Sequence, residues 1–244
     1  MAHAHRRAIR GTGRLRGCEP AASTGFITGM DTTSVAGQTR PTLNQRFLAA
    51  IYDPFLALGE RRGSAGRRAA LLADLRGDVL EIGAGTGLNL KHYPAAATLE
   101  LTEPDPGMLR RLRRRAPTPV RVTQAPAESL SFPDGSFDVV VSTFVLCTAA
   151  DPVAALAEVV RVLRPDGRLV LLEHVLSQQP RRARRQRRMA RAWKSFAGGC
   201  RCDQDTVARL AQAGFDVTGL RPETWRGMPS IVKPLVLGSL ARPA

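Results

Sequence analysis

Residues 78–87, Asp-Val-Leu-Glu-Ile-Gly-Ala-Gly-Thr-Gly, constrain the fold of this chain more than any other stretch. Val79, Leu80 and Ile82 read as a short buried strand, and glycines follow at 83, 85 and 87. Asn89, Leu90, His92 and Tyr93 then pattern as a short helix that ends before Pro94. Strand, glycine-rich turn and helix start together form the ligand-binding corner of a doubly wound sheet. The glycines let backbone approach a ligand closely, and the helix N-terminus offers unpaired N–H groups.

Spacing narrows the ligand. A dinucleotide fingerprint needs G-x-G-x-x-G, but its third glycine would fall on Leu88. A P-loop needs Gly-Lys-Ser/Thr, which the chain lacks. What stands here is Glu81-x-Gly83-x-Gly85-x-Gly87, with Glu103 closing the next apolar run.

The rest of the chain repeats the alternation. Strands are expected at 98–102, 120–123, 139–144 and 168–173. Helices are expected from Ser64, read as a cap, to Leu75, at 106–115, and from Asp151-Pro152 to Leu163. The 164–167 Arg-Pro-Asp-Gly turn then stops that last helix. Such βαβ alternation favours an open, mostly parallel sheet, and the apolar run 139–144 suits its buried centre. A capped helix from Asp203 or Asp205 to Ala213 leads to 215–220 and 231–240, read as a closing hairpin. Phe47, Leu48, Ile51, Tyr52, Phe55, Leu56 and Leu58 form an amphipathic segment interrupted by Asp53-Pro54. It reads as a lid over the ligand mouth or as a helix covering a sheet edge.

Residues 1–40 are expected to be a disordered Arg/Gly-rich tail, and 41–244 the folded domain. Met30 opens a more ordinary stretch, which places the expected start of translation at Met1 or Met30. Net charge is +15, yet among 36 basic residues only Lys91, Lys194 and Lys233 are lysines. That bias fits a solvated arginine surface as well as a functional patch. Cys18, Cys147, Cys200 and Cys202 have no zinc-motif spacing, so no metal is expected and free thiols in a cytoplasmic protein fit best. The basic N-terminal segment has no apolar core of a secretory signal, and no run approaches 18 apolar residues.

Four segments carry a family resemblance: Glu81 to Gly87, Glu103-Pro-Asp-Pro-Gly-Met108, Phe132-Pro-Asp-Gly-Ser-Phe-Asp-Val-Val-Val141 and Arg161-Val-Leu-Arg-Pro-Asp-Gly167. The chain resembles the type 11 family of class I S-adenosylmethionine-dependent methyltransferases over about 45 to 240. This implies a seven-stranded sheet in the order 3-2-1-4-5-7-6 and S-adenosylmethionine as cofactor. The segments 145–147 (Val-Leu-Cys), 173–175 (Glu-His-Val) and 198–200 (Gly-Gly-Cys) are similar to the branch containing alkyl thiol methyltransferases. Two departures stand out: the apolar membrane anchor of the animal members is missing, and Pro126 replaces an acidic residue often found before the Ala-Glu pair.

The resemblance implies a cofactor site of Glu81, Gly83, Ala84, Gly85, Gly87, Glu103, Pro104, Met108, Ala127, Glu128 and Thr143. Glu103 suits hydrogen bonds from both ribose hydroxyls, and Met108 an apolar contact with adenine. Methyl transfer requires alignment of a nucleophile with the activated methyl, and a base only when the acceptor arrives protonated. His174, at an expected strand end, is the candidate base or acceptor contact. The expected acceptor is small and lipophilic, with a thiol favoured. A quinone- or lipid-type carbon or oxygen is the alternative. RNA methylation and non-catalytic binding fit less well, because only Trp193 among aromatic residues interleaves with the arginines. Residues 181–193 hold seven arginines, Met189 and Trp193, suited to peripheral contact with an anionic membrane.

Overall fold

A computed structural model of the protein describes residues 41–244. The expected N-terminal tail lies outside the described residues. Seven strands form one sheet: β1 Gly77–Ile82, β2 Ala97–Thr102, β3 Arg121–Thr123, β4 Phe137–Thr143, β5 Leu163–His174, β6 Arg221–Thr224 and β7 Pro234–Ala241. Their order is β3-β2-β1-β4-β5-β7-β6. Pairings are parallel from β3 to β5, and β7 runs antiparallel to both β5 and β6.

The apolar runs explain the layering. Alternate residues of a strand face opposite sides, so Leu80, Val140, Leu169 and Leu171 join one core cluster. Val79, Val139, Val141 and Val170 join another on the reverse face. Helix α4, Pro152–Val162, adds Ala155, Leu156, Val159 and Val162 to the first cluster. Asp151 caps it, accepting hydrogen bonds from Val153 and Ala154 N–H. On the reverse face, α2, Ala65–Leu72, contributes the fully buried Leu72. Full burial of one such side chain contributes about 1.5–3 kcal/mol.

Helix α1, Leu43–Gly59, starts with a capping box between Thr42 and Gln45 and contains Pro54. The Asp53-Pro54 interruption does not end it. Instead, the Asp53 carboxylate accepts a hydrogen bond from Thr86 Oγ1 and pairs with Arg115 at 2.6 Å. Arg115 closes α3, Pro106–Arg115, and also donates to the Thr86 carbonyl. One acidic side chain thus pins α1 to the glycine turn and to α3.

Several boundaries differ from the sequence expectations. Ser64 is no cap: the chain passes from α1 through a π turn, Glu60–Ser64, into α2, which ends at Leu72. Buried Ser64 Oγ has no partner. Residues 215–220 are no strand, because Asp216 accepts from Thr218 N–H and Oγ1–H and bends the segment into a 3-10 turn, Val217–Gly219. The hairpin instead pairs β6 with β7. β5 already begins at Leu163, which pairs with Phe137, and its next pair, Val139 with Arg168, loops out 164–167. The remaining helices are α5, Pro180–Phe196, and α6, Thr206–Gln212, the latter capped by Asp205.

Candidate active site

A cavity of about 440 Å³ opens at the C-terminal ends of β1, β2, β4 and β5. Here β1 lies between β2 and β4, so successive connections leave to opposite sides and a crevice is left between them. Gly83, Gly85, Glu103, Pro104, Met108, Ala127, Glu128 and Thr143, all expected at the site, line it. Gly83 and Gly85 have φ of 55° and 59°, the left-handed region that side chains resist. A Cβ on Gly83 would come within 2.8 Å of Val145, whereas one on Gly85 would meet only Tyr52, at 3.9 Å. Backbone at Gly85 is therefore open to a ligand.

Glu103 anchors this wall. Its carboxylate accepts hydrogen bonds from Gly85 N–H and Asp105 N–H, both at 2.8 Å. Burial pushes its pKa up to about 7 against those two bonds. Further donors on a ligand would favour the ionised form, and a ribose diol supplies them. The cavity's backbone and carboxylate thus fit the ribose of S-adenosylmethionine.

Three expected site residues do not line the cavity. Ala84 is buried behind the turn, where its N–H donates to the Thr102 carbonyl. Gly87 packs under Leu90. Glu81 accepts hydrogen bonds from Asn89 Nδ2 (2.9 Å) and Tyr93 Oη (2.8 Å). Burial raises its pKa to about 7, against Tyr93, Arg68 and Asn89. Beside it, Arg68 donates to Asn89 Oδ1 (2.7 Å), Thr143 Oγ1 (3.1 Å) and Glu60 (3.2 Å). The sequence reading passed over Arg68, because a helical arginine gives no local sign of being buried.

A second, aromatic wall was also missed. Phe144 stacks on Trp225 with ring centroids 4.2 Å apart and planes 5° from parallel. Among the described non-glycine residues only Phe144 has positive φ, at 61°. The turn that holds it is fixed by Glu173, which accepts from Ser142 Oγ, Val145 N–H and Leu146 N–H. From α1, Ile51, Tyr52, Phe55 and Leu56 also line the cavity.

His174, the last residue of β5, meets two cysteines at this wall. Its Nε2 lies 2.8 Å from Cys200 Sγ, and Trp193 Nε1–H donates to the same sulfur at 3.2 Å. The hydrogen bond with Cys147, with His174 and Trp193 alongside, holds the Cys200 thiol well below the usual thiol range despite burial. The same Cys200 contact, with burial, pushes Cys147 up. Burial alone would lower the His174 pKa, but Cys200 and Glu173 more than reverse this. Cys147 and Cys200, buried in a core cluster, both also line the cavity.

Residues 80–171 match the family described as a methyltransferase domain. Mouse (Mus musculus) thiol S-methyltransferase TMT1B is 34% identical over 185 residues, covering 70% of this chain and 75% of the mouse protein. The demethylmenaquinone methyltransferase of Thermus thermophilus is 42% identical over 101 residues, covering 39% and 46% of the two chains. The S-adenosylmethionine-dependent methyltransferase structure from Mesorhizobium loti has a TM-score of 0.56 at 18% identity, covering 74% of this chain and 99% of that one. The seven-stranded order, the carboxylate beneath the glycine turn and the length of the TMT1B match agree: this chain belongs to the type 11 family of S-adenosylmethionine-dependent methyltransferases, the enzymes that include the thiol S-methyltransferases.

Proposed function

We propose that this methyltransferase acts on small lipophilic thiols. One observation carries the reading: beyond the cofactor carboxylate, the cavity offers an aromatic and aliphatic wall in which Cys147, His174 and Cys200 cluster. When bound, S-adenosylmethionine supplies a methyl group already activated on a sulfonium. The chain's task is to hold donor and acceptor in line and to exclude water. Gly83, Gly85, Glu103, Pro104, Met108, Ala127, Glu128 and Thr143 would hold the cofactor. Glu81, Ala84 and Gly87 support that wall from behind. Phe144, Trp225, Met228 and Val232 would pack on an apolar acceptor, with His174 beside its reacting atom.

A thiol asks little of such a site. Its usual pKa of about 8.5 leaves a few per cent thiolate at neutral pH, so no strong base is needed. The TMT1B match supports the same class, because it spans 70% of the chain against 39% for the quinone enzyme. The test is release of S-adenosylhomocysteine, with product mass, over a panel of alkyl and aryl thiols, phenols and quinols. Thiols should be methylated. Turnover of a quinol with no thiol turned over would replace this reading with ring methylation.

We further assign the enzyme to the cytoplasm, docked peripherally on anionic bilayers. Free, buried Cys147, Cys200 and Cys202 suit a reducing compartment. Among the described residues no helix is long and apolar enough to cross a membrane. Leu43, Phe47, Ile51, Phe55 and Leu58 make one exposed apolar stripe along α1, Leu43 at 82% and Phe47 at 64% exposure. Ile51 and Phe55 also line the cavity, so the stripe runs to its mouth. On α5, Arg181, Arg184, Arg185, Arg187, Arg188 and Arg191 are exposed, with Ala183 and Gln186 inward. Trp193 turns its indole N–H to Cys200, which suits a site wall better than a nucleic-acid stacking platform.

A further inference from the structure

Residues 147, 174 and 200 lie far apart in the chain and match no metal-binding spacing. The fold brings them together. One ligand atom each from Cys147, His174 and Cys200 falls within 4.8 Å of the others, and all three residues are buried. They sit on three braced segments. Cys147 belongs to the turn held by Glu173, and its carbonyl accepts from Arg201 N–H at 2.8 Å. His174 ends β5 opposite Leu235 of β7. Cys200 follows the Gly198-Gly199 turn, and its N–H donates to the Ala197 carbonyl at 3.1 Å.

We propose that Cys147, His174 and Cys200 form a three-ligand site for a zinc-class divalent cation, with its fourth position open to the cavity. The donor set is two sulfurs and one imidazole nitrogen, which suits zinc and its close chemical neighbours and disfavours magnesium or calcium. Three protein ligands with one open position are the pattern of catalytic rather than structural zinc. Two thiolates and a neutral imidazole balance a divalent charge, so the loaded cluster can stay buried without a further counter-ion. Trp193 N–H, aimed at Cys200 Sγ, supplies the outer hydrogen bond that steadies a ligating sulfur. Tetrahedral zinc bonds of about 2.0 Å to nitrogen and about 2.3 Å to sulfur separate neighbouring ligand atoms by about 3.5 Å, so the 2.8 Å His174–Cys200 gap opens by about 0.7 Å on loading.

The open position deepens the thiol reading and, for its occupant, rests on it. A thiol entering the cavity binds the ion through sulfur, and its S–H proton leaves to water. The resulting thiolate is held next to the cofactor wall. His174 then acts as a metal ligand and takes no proton from the acceptor.

The full-length protein, stripped with a chelator and kept reduced with a phosphine, is titrated with cobalt(II). One equivalent should bind, with tetrahedral d–d bands and intense sulfur-to-cobalt charge transfer, and zinc should displace it. Cys147→Ser and Cys200→Ser should each lose stoichiometric binding. Cys202→Ser should keep it, since that buried thiol points to the Gln186 carbonyl at 3.5 Å. His174→Gln, the milder change, should bind cobalt with altered d–d bands. A small alkyl thiol should shift the charge-transfer band and release one proton per site. Absence of stoichiometric cobalt, or binding that survives Cys147→Ser with Cys200→Ser, overturns the proposal. So does a Cys147–Cys200 disulfide as the resting state in alkylation mass spectrometry. Thiol methylation by protein that takes up no cobalt would refute the metal site and leave the thiol reading standing. Cobalt uptake with no thiol methylated, and no spectral response to thiols, would do the reverse.

Discussion

The glycine-turn wall of the cavity draws on the ends of two consecutive strands, Gly83 and Gly85 after β1 and Glu103 to Met108 after β2, joined by Ala127 and Glu128. It presents backbone and a carboxylate already fixed by two N–H groups. The aromatic wall collects Tyr52, Phe144, Trp193, Trp225 and Val232 from segments scattered along the chain, and it presents apolar surface. The first wall can recognise one constant polar ligand through directional bonds. The second recognises by area and shape, which tolerates a class of acceptors more readily than a single one. On the proposed assignment of the two walls, cofactor choice is local and acceptor choice is tertiary.

The largest effect should come from outside both walls, on the basic face of α5. Replacing Arg184, Arg187, Arg188 and Arg191 by Gln should reduce partitioning onto anionic liposomes by roughly a thousandfold at low salt. This follows from about 1 kcal/mol per basic residue near such a surface. Flotation with neutral and anionic vesicles reads it directly, and equal behaviour on the two lipids would remove the membrane from the acceptor's route. Cofactor affinity should stay unchanged, which keeps that wall separate from the surface.

Next in size, Glu103→Ala should weaken cofactor binding by about 10- to 150-fold. A hydrogen bond to a charged group contributes about 1.5–3 kcal/mol. Calorimetry with S-adenosylmethionine checks this, and retained circular dichroism checks that the fold survives. If the acceptor KM moves instead, the division between the two walls is wrong.

The pH dependence of cofactor binding follows from the same carboxylate. Its pKa of about 7 in the folded chain lies above the ordinary 4.5, through burial. Its contribution to stability is therefore fully present below 4.5 and lost as pH rises through 7. Ligand hydroxyls favour the ionised form, so cofactor affinity should run the other way. It should tighten up to about tenfold between pH 6 and 8, while Glu103→Gln should flatten that rise. A titration at three pH values would show it.

The smallest effect belongs to the aromatic wall. Trp225→Leu keeps an apolar side chain but removes the stack on Phe144. An aromatic pair contributes about 0.5–1.5 kcal/mol beyond its buried area, so KM for an aryl thiol should rise about 2- to 10-fold. Initial-rate kinetics with two thiols of different size would sharpen this, since the loss should be greater for the aryl acceptor. An unchanged KM would mean that the acceptor does not lie on this wall.

How much was legible beforehand follows the same division. The strand, the glycine spacing and Glu103 all fall within two consecutive parallel strands and the short connection between them, so their relation survives in the linear order of residues. The sheet order also followed, through the family resemblance, and the structure has it. By contrast, Ser64 reads as a cap and is an unpartnered buried hydroxyl, since the chain kinks at Arg62 and Gly63, where φ is 133°, and enters α2 with Ser64 already helical. Asp53-Pro54 looked like a break, yet Asp53 is the tie between α1 and the glycine turn.

The sequence by itself determined the alternating architecture and the cofactor corner, because side-chain periodicity and short-range spacing act within a few residues. Tertiary structure alone decided that Arg68 is buried against Asn89 and Thr143, and that Phe144 stacks on Trp225. It alone brought Cys147, His174 and Cys200 within 4.8 Å. Those contacts depend on how strand ends, a helix and a C-terminal loop converge. Such distances are set by the packing of whole elements, and no spacing along the chain encodes them.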